Sequence, residues 1–162
     1  MTDLVKSLNA GTESIIAFLD TVNNEIAHKK SSPETWSIME HMEHIFITEK
    51  GIYKLMLRPD LFSDKPSTGF DRLDEYNRGK FTAPDYTLPT GRFSSLEEIK
   101  NAFKILRGQL EEYVINELPK AGNETYPHPI LGPITRSQWI EFAIGHGDRH
   151  LKQMKNLNVE PV

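Results

Sequence analysis

Four histidines lie in two short windows of the chain, and their spacing could serve metal binding. His41 and His44 are three residues apart in WSIMEHMEHI, and His146 and His150 are four residues apart in IGHGDRHLKQM. Residues three or four apart share one face of a helix, so each pair can point the same way. Buried imidazoles need partners for their ring nitrogens, and a metal ion supplies one. For His146 and His150 the competing interpretation is two core histidines bonded to the backbone or to Asp/Glu across the fold.

The composition narrows both the ligand types and the classes of partner. The chain has 162 residues and no cysteine, which excludes thiolate nucleophiles and cysteine-based zinc sites and leaves His, Asp and Glu as metal ligands. A net charge of -4 without a long Lys/Arg run argues against binding to nucleic acid or to an anionic membrane. Neither a secretory signal nor an apolar stretch of the ~20 residues needed for a membrane span is visible, so a cytoplasmic location is expected.

Four amphipathic segments are predicted to form the long helices that carry these side chains. Apolar residues recur in each at three- and four-residue spacing. Capping-box pairs mark the starts of the second, third and fourth helices. They are Ser37 with Glu40, Ser95 with Glu98 and Thr135 with Gln138. The predicted helices cover about 4–27, 37–59, 95–119 and 135–157.

A long segment, 58–93, separates the second and third helices and is rich in Pro, Gly and Asp. It is predicted to contain a short helix near Phe70 to Tyr76. A crossover of this length lets the second and third helices run parallel instead of forming a hairpin. No strand pair with hairpin signals is found. The sequence therefore predicts an all-α fold, a four-helix bundle with up-down-down-up topology, in a single domain that covers 1–162.

Helical-wheel positions favour some histidines over others. His146 and His150 fall in the middle of the apolar stripe of the fourth helix. In the second helix His41 lies nearer the centre of the stripe than His44, so periodicity alone favours His41. Gly145 and Gly147 indicate either a close approach to the fourth helix or tight helix packing, because glycine within a helix costs roughly 1 kcal/mol relative to alanine.

Several motifs together resemble the DinB-like superfamily, whose DinB- and YfiT-type members are candidate metalloenzymes. They are Trp36-Ser37 with His44 eight residues after the tryptophan, HPILGPITRSQW, and HGDRHLKQM. The stretch APDYTLPTGRFSSLEEIKNAF is similar to that family's crossover into the third helix, so the resemblance covers nearly the whole chain. It implies an up-down-down-up bundle in which three histidines bind a divalent metal, and by residue-wise matching these are His44, His146 and His150.

The resemblance also implies roles for the remaining histidines. It favours His44 over His41 as the ligand, contrary to the helical wheel. His41 is then expected either behind the ligands or at the surface near the mouth of the site. His128, in the HPILGP turn, matches a loop motif and not a ligand, while His28 is expected to be exposed to solvent. Family members often form dimers, so a homodimer is an option, although no residue pattern here identifies an interface.

Three imidazoles leave coordination positions open for water or substrate, which is typical of a catalytic metal site. Zinc and nickel suit imidazole, with iron or manganese as further options. Such an ion lowers the pKa of a bound water or thiol. The resemblance implies either a thiol S-transferase or isomerase that uses a low-molecular-weight thiol such as bacillithiol, mycothiol or glutathione, or a presumed hydrolase. A non-catalytic metal-binding or interaction module is the alternative from another class, and a small-molecule substrate is the expected partner of an enzyme.

Other residues distinguish these alternatives. An enzyme should have a solvent-connected cavity over the metal, walled by residues such as Phe81, Tyr86 and Phe93. Carboxylates near the cluster are candidates for proton transfer, although capping or solvated helix positions are their more ordinary roles. They are Glu40, Glu43 and Asp148. A di-iron carboxylate site is set aside, because it needs paired Glu-x-x-His motifs and the one found is Glu25 with His28.

Overall fold

The amphipathic segments form four long helices around a shared core. In the computed structural model, which describes residues 2–78 and 83–157, they are α1 (Asp3–Leu19), α3 (Ile38–Met56), α5 (Leu96–Asn116) and α6 (Arg136–Lys155). The described chain also has short helices α2 (Asn24–His28) and α4 (Leu73–Arg78), 3-10 turns at Pro59–Leu61, Asp85–Thr87 and Leu118–Lys120, and strands β1 (Thr125–His128) and β2 (Gly132–Thr135). No helix within these described ranges has the length and apolarity needed to span a membrane.

Two apolar clusters stacked along the bundle define the direction of each long helix. One joins the ends of α1 and α6 to the beginnings of α3 and α5, and includes Leu19, Ile38, Leu96 and Met154. The other joins the opposite ends, and includes Leu8, Met56, Leu110 and Ile140. Helices α1 and α6 therefore run one way and α3 and α5 the other. The predicted four-helix bundle with up-down-down-up topology is confirmed.

Capping residues begin three of these helices at the predicted positions. Ser37 and Thr135 form complete capping boxes with the residues three positions later. Ser95 caps α5 through its hydroxyl, which accepts the Glu98 N–H at 3.2 Å. The Glu98 carboxylate, however, accepts the Ser94 hydroxyl at 2.8 Å in place of the Ser95 N–H, so the third predicted box is incomplete.

The prediction of one continuous first helix over 4–27 was wrong. Helix α1 ends at Leu19, where the Thr21 hydroxyl donates to the Phe18 carbonyl at 2.6 Å. Asn23 then begins α2, because its side-chain oxygen accepts the Ile26 N–H at 2.8 Å. Short polar side chains that bond to the nearby backbone compete with helix continuation. The apolar spacing persists across this break because α2 packs Ala27 into the same core.

A β-hairpin between α5 and α6 was not predicted. Strands β1 and β2 pair antiparallel, with His128 opposite Gly132 and Pro127 opposite Pro133. Two prolines in strands of four residues hide the usual alternation of β-branched and polar side chains. Gly132 has φ +81°, a conformation that glycine adopts at little cost, and its position beside the turn is the local signal of the hairpin.

The long crossover is anchored along its course. The Ser63 N–H donates to the Thr125 carbonyl at 2.9 Å, which ties the first part of the crossover to β1. The short helix predicted near Phe70 to Tyr76 is present, but α4 begins later, at Leu73. The crossover returns the chain to the end of the bundle where α3 starts, so α3 and α5 run parallel, as expected.

A buried ion pair lies at the centre of the bundle and is contacted by all four long helices. Arg107 of α5 donates to both oxygens of Glu49 of α3, at 2.6 and 2.8 Å, and the two side chains are 3% and 0% exposed. The guanidinium also donates to the hydroxyl of Thr12 of α1 at 3.2 Å. A Cβ on Gly147 of α6 would lie 2.8 Å from Arg107 Nη2. The close approach expected from the glycines is therefore explained for Gly147, whereas a Cβ on Gly145 would meet no atom within 4 Å.

We predict that Glu49→Gln lowers the free energy of unfolding by about 3–5 kcal/mol, because it leaves the buried Arg107 charge without its counter-charge. Urea denaturation followed by circular dichroism measures this change. Arg72→Gln, which breaks the exposed Arg72–Glu75 pair, is the matched control and should leave the midpoint unchanged. Equal midpoints for the two variants would contradict the central role of the buried pair.

Candidate metal centre

Two helices bring three of the histidines together inside the bundle. Helix α3 supplies His44, and α6 supplies His146 and His150, each 5% exposed. One ring nitrogen of each lies within 4.8 Å of the others, and His44 Nε2 is 3.0 Å from His146 Nε2. The side chains that the motifs nominated as ligands therefore converge on a single point.

The rings of these three histidines are buried and neutral, the form in which imidazole binds a metal ion. His146 Nδ1 and His150 Nε2 are buried and have no hydrogen-bond partner among the described residues. Burial is the main cause of a lowered pKa for His44, His146 and His150, and the Arg149 charge lowers each pKa further. Neutral imidazoles with free lone pairs are ligands for zinc, nickel and related divalent ions. These three buried histidines could hold a metal ion.

The position of His44 is fixed from the crossover. Its Nδ1 donates to the Thr87 carbonyl at 2.9 Å, which leaves Nε2 directed at His146. A ligand histidine held through its other nitrogen keeps one tautomer and one ring orientation. The neighbouring Glu43 is buried, and its carboxylate accepts backbone N–H groups of Thr90, Gly91 and Arg92. One turn of α3 thus both presents a candidate ligand and holds the crossover.

His41 lies directly behind His150. The Nδ1 atoms of the two rings are 2.9 Å apart, so one nitrogen donates and the other accepts. His41 is 7% exposed, and burial lowers its pKa to about 4. Of the two positions expected for His41, behind the ligands or at the surface, the structure shows the first. The helical wheel correctly predicted that His41 is buried. It did not predict that His44, and not His41, would face His146.

The two other histidines lie where the sequence placed them. His128 belongs to the hairpin turn, where its Nδ1 accepts the N–H groups of Ile130 and Leu131, each at 3.1 Å. His28 is exposed, and its ring bonds to the Asn24 carbonyl at 2.7 Å. Neither contributes to the group of three.

The candidate carboxylates lie away from the convergent nitrogens. Glu40 caps α3 and lies 3.4 Å from the Lys30 ammonium. Glu43 is engaged by the crossover backbone. Asp148 is exposed on the side of α6 that faces α1, where its Oδ1 lies 3.4 Å from the Cβ position of Gly11. None of these three side chains lines the cleft beside the histidines.

A cleft of about 1000 Å³ adjoins the three histidines. Its described walls are mainly apolar and aromatic, and include Trp36, Ile47, Leu55, Leu88, Ile130, Trp139 and Phe142. Tyr86 lines it as predicted and is 74% exposed. The same prediction for Phe93 was wrong, because Phe93 packs edge-on against Phe46 at 5.2 Å in the core. Phe81 lies outside the described residues.

Comparisons with known proteins identify the family and the fold. A family model described as DinB superfamily matches residues 7–154. The chain belongs to the DinB superfamily. Its similarity to YuaE of Bacillus subtilis (strain 168), an uncharacterized protein, is 27% identity over 143 residues, which cover 86% of this chain and 87% of YuaE. The crystal structure of TT2238, a four-helix bundle protein, matches with a TM-score of 0.62 at 19% identity and covers 94% of this chain and 96% of that one. The resemblance and the fold expected of a DinB-superfamily chain are confirmed.

Some residues around the site were not found from the sequence. The Thr87 carbonyl that orients His44 could not be found, because any residue has a carbonyl. Arg149 lines the cleft and packs on Tyr76, with its Cζ 4.6 Å from the ring centroid. The sequence did carry a signal for Arg149, because a charged residue three positions after His146 lies on the flank of an otherwise buried helix face.

We predict that His128 makes the metal-free protein sensitive to acid. Burial lowers the pKa of His128 from 6.5 to about 4. Between these two pH values the unfolded chain binds a proton at His128, whereas the folded chain does not. The contribution of His128 to stability is complete above pH 6.5 and is lost as the pH falls from 6.5 towards 4. Urea unfolding of chelator-treated protein across this interval measures the slope.

His128→Gln should reduce the slope by up to one proton, the rest coming from His41 and the three clustered histidines, whose pKa values burial also lowers. His28→Gln, at an exposed histidine, should leave the slope unchanged. The same slope in all three proteins would show that the acid sensitivity does not come from His128.

Proposed function

We propose that this DinB-superfamily protein is a metal-dependent enzyme that acts on a small molecule, with one divalent ion held by His44, His146 and His150. The observation that carries the proposal is the convergence of three buried, neutral imidazoles at the wall of a cleft of about 1000 Å³. Three protein ligands leave coordination positions open, in contrast to the closed shell of a structural site. Zinc or nickel suits this donor set best, with iron or manganese as further options.

We propose thiol S-transfer as the narrower activity. A divalent ion bound there would lower the pKa of a coordinated water or thiol and make a nucleophile available near neutral pH. The described lining of the cleft contains no Asp or Glu that could take a proton from water. The Nδ1 of His128 cannot substitute, because it already accepts two backbone N–H groups. A thiol, with a pKa of about 8.5 compared with about 15.7 for water, needs less assistance from a base.

The chain's own residues orient the three histidines. Thr87 holds His44 through Nδ1, and His41 holds His150 through Nδ1. Trp36 covers the cluster, with its ring centroid 5.0 Å from that of His44. The cleft leaves room for a low-molecular-weight thiol beside an electrophile. In the transfer the sulfur forms a bond to the electrophilic carbon, the leaving group departs with the bonding electron pair, and the thiol proton passes to solvent.

We predict that the purified protein binds about one divalent ion per chain, and that His44→Ala, His146→Ala and His150→Ala each lose it, because each removes one donor of three. His41→Ala should retain the ion with affinity reduced by roughly 10–100-fold, since it removes only the group behind His150. Elemental analysis of reconstituted, gel-filtered protein gives the stoichiometry. His28→Ala is the matched control and should bind as wild type does.

Equal metal content in wild type and in the His146→Ala and His150→Ala variants would end the proposal of a three-histidine site. Loss of the ion in His41→Ala with retention in His44→Ala would show that the ligand from α3 has been assigned to the wrong histidine.

For the narrower activity, we predict that a low-molecular-weight thiol changes the visible spectrum of cobalt-substituted protein, and that the zinc or nickel form conjugates this thiol to an electrophile such as chlorodinitrobenzene. His150→Ala should lose both signals. Hydrolysis of ester or amide substrates without thiol conjugation would favour a hydrolase. An intact metal site with neither reaction would favour a non-catalytic metal-binding module.

A further inference from the structure

One cationic side chain lines the cleft beside the histidines. Arg149 is half-buried on α6, and one face of its guanidinium packs on the ring of Tyr76. Its Nη2 donates to the Tyr76 hydroxyl at 3.0 Å. Its Nε is buried and has no hydrogen-bond partner among the described residues. Guanidinium carries five N–H donors, and the bond to Tyr76 is the one hydrogen bond that Arg149 forms within the described residues.

In the described part of the chain no carboxylate forms an ion pair with Arg149, although Glu141 and Arg149 both line a smaller hollow beside the cleft. By contrast, the two buried arginines, Arg107 and Arg136, are paired with Glu49 and Glu124. The described lining of the cleft contains neither Asp nor Glu, and Arg149 is its one charged side chain. A partly desolvated cation without a counter-charge is unfavourable, and an anionic guest would remove that cost.

A second polar group of the cleft also lacks a partner. Thr48 lies one turn after His44 on α3 and lines the same cleft. Its Oγ1 is buried without a hydrogen-bond partner in the described ranges. A buried hydroxyl in an apolar wall is normally bonded, so an oxygen-bearing guest is the expected partner. The apolar residues around it suit a hydrocarbon body.

We propose that Arg149 binds the carboxylate of the substrate, so that the cleft selects small organic acids with an apolar body. This deepens the proposed function, on which it rests for the chemistry at the histidines. The planar fork of guanidinium matches the two oxygens of a carboxylate. No lysine lines the described cleft beside Arg149. A single positive side chain matches one negative charge better than the two charges of a phosphate.

The chain carries its own reporters for this binding. It has two tryptophans, Trp36 and Trp139, and both line the cleft. Their fluorescence can follow titration with 3-phenylpropionate and with its uncharged analogue 3-phenylpropanamide. We expect metal-free wild-type protein to bind the carboxylate at least about tenfold more tightly than the amide, because a charge-assisted bond to guanidinium replaces a neutral one.

Arg149→Met should bind the two probes equally. Arg149→Lys keeps the charge but lacks the planar guanidinium, and it should keep part of the preference for the carboxylate over the amide. This variant preserves the test if Arg149→Met does not fold. Lys152→Met removes the same charge from an exposed position of α6 outside the cleft and should behave as wild type.

Because this titration uses metal-free protein, it separates the role of Arg149 from the proposed metal site. Retained preference in Arg149→Met, equal binding of both probes by wild type, or no binding of the carboxylate in the millimolar range would each overturn the proposal. Tighter binding of phenyl phosphate than of 3-phenylpropionate would overturn the choice of a carboxylate. Failure of the metal prediction alone would leave the selection by Arg149 intact.

Discussion

The Glu49–Arg107 ion pair constrains how the four long helices pack. It joins α3 to α5 at the boundary between the two apolar clusters, and α1 and α6 meet it with Thr12 and Gly147. Apolar side chains tolerate small shifts along a helix, but a bidentate bond between buried charges does not. Any slip would leave a charge in the core without its partner, at a cost of about 3–5 kcal/mol. The pair therefore specifies one register for the bundle.

The same register determines where the histidines meet. His44 is five residues before Glu49 on α3, and His146 is adjacent to Gly147 on α6. Because Glu49 and Gly147 are fixed against Arg107, the positions of His44 along α3 and of His146 along α6 are fixed as well. The 3.0 Å separation of His44 Nε2 and His146 Nε2 depends on this alignment. The Glu49–Arg107 pair and the candidate metal centre are therefore neighbouring layers along the same helix bundle.

The sequence predicted those features that depend on periodicity and capping. The helix starts at Ser37 and Thr135, the long crossover and the burial of His146 and His150 all follow from local patterns. The break after Leu19 was missed because it depends on single hydrogen bonds of Thr21 and Asn23, and the hairpin was missed because two prolines hide the usual alternation of a strand. The choice between His41 and His44 depends on the Thr87 carbonyl, 43 residues from His44, which no pattern within α3 can reveal. The role of Glu43 was hidden for the same reason, because its backbone partners lie 47–49 residues away.

Two consecutive residues of α3 hold the same stretch of the crossover from different sides of the site. Glu43 accepts N–H groups from Thr90 to Arg92, and His44 donates to Thr87. By thermodynamic linkage, a ligand that stabilises this orientation of the His44 ring would also stabilise its hydrogen bond to Thr87, and this bond would strengthen binding of that ligand by the same factor. The Thr87 segment of the cleft wall and the ring of His44 are thus coupled through one hydrogen bond.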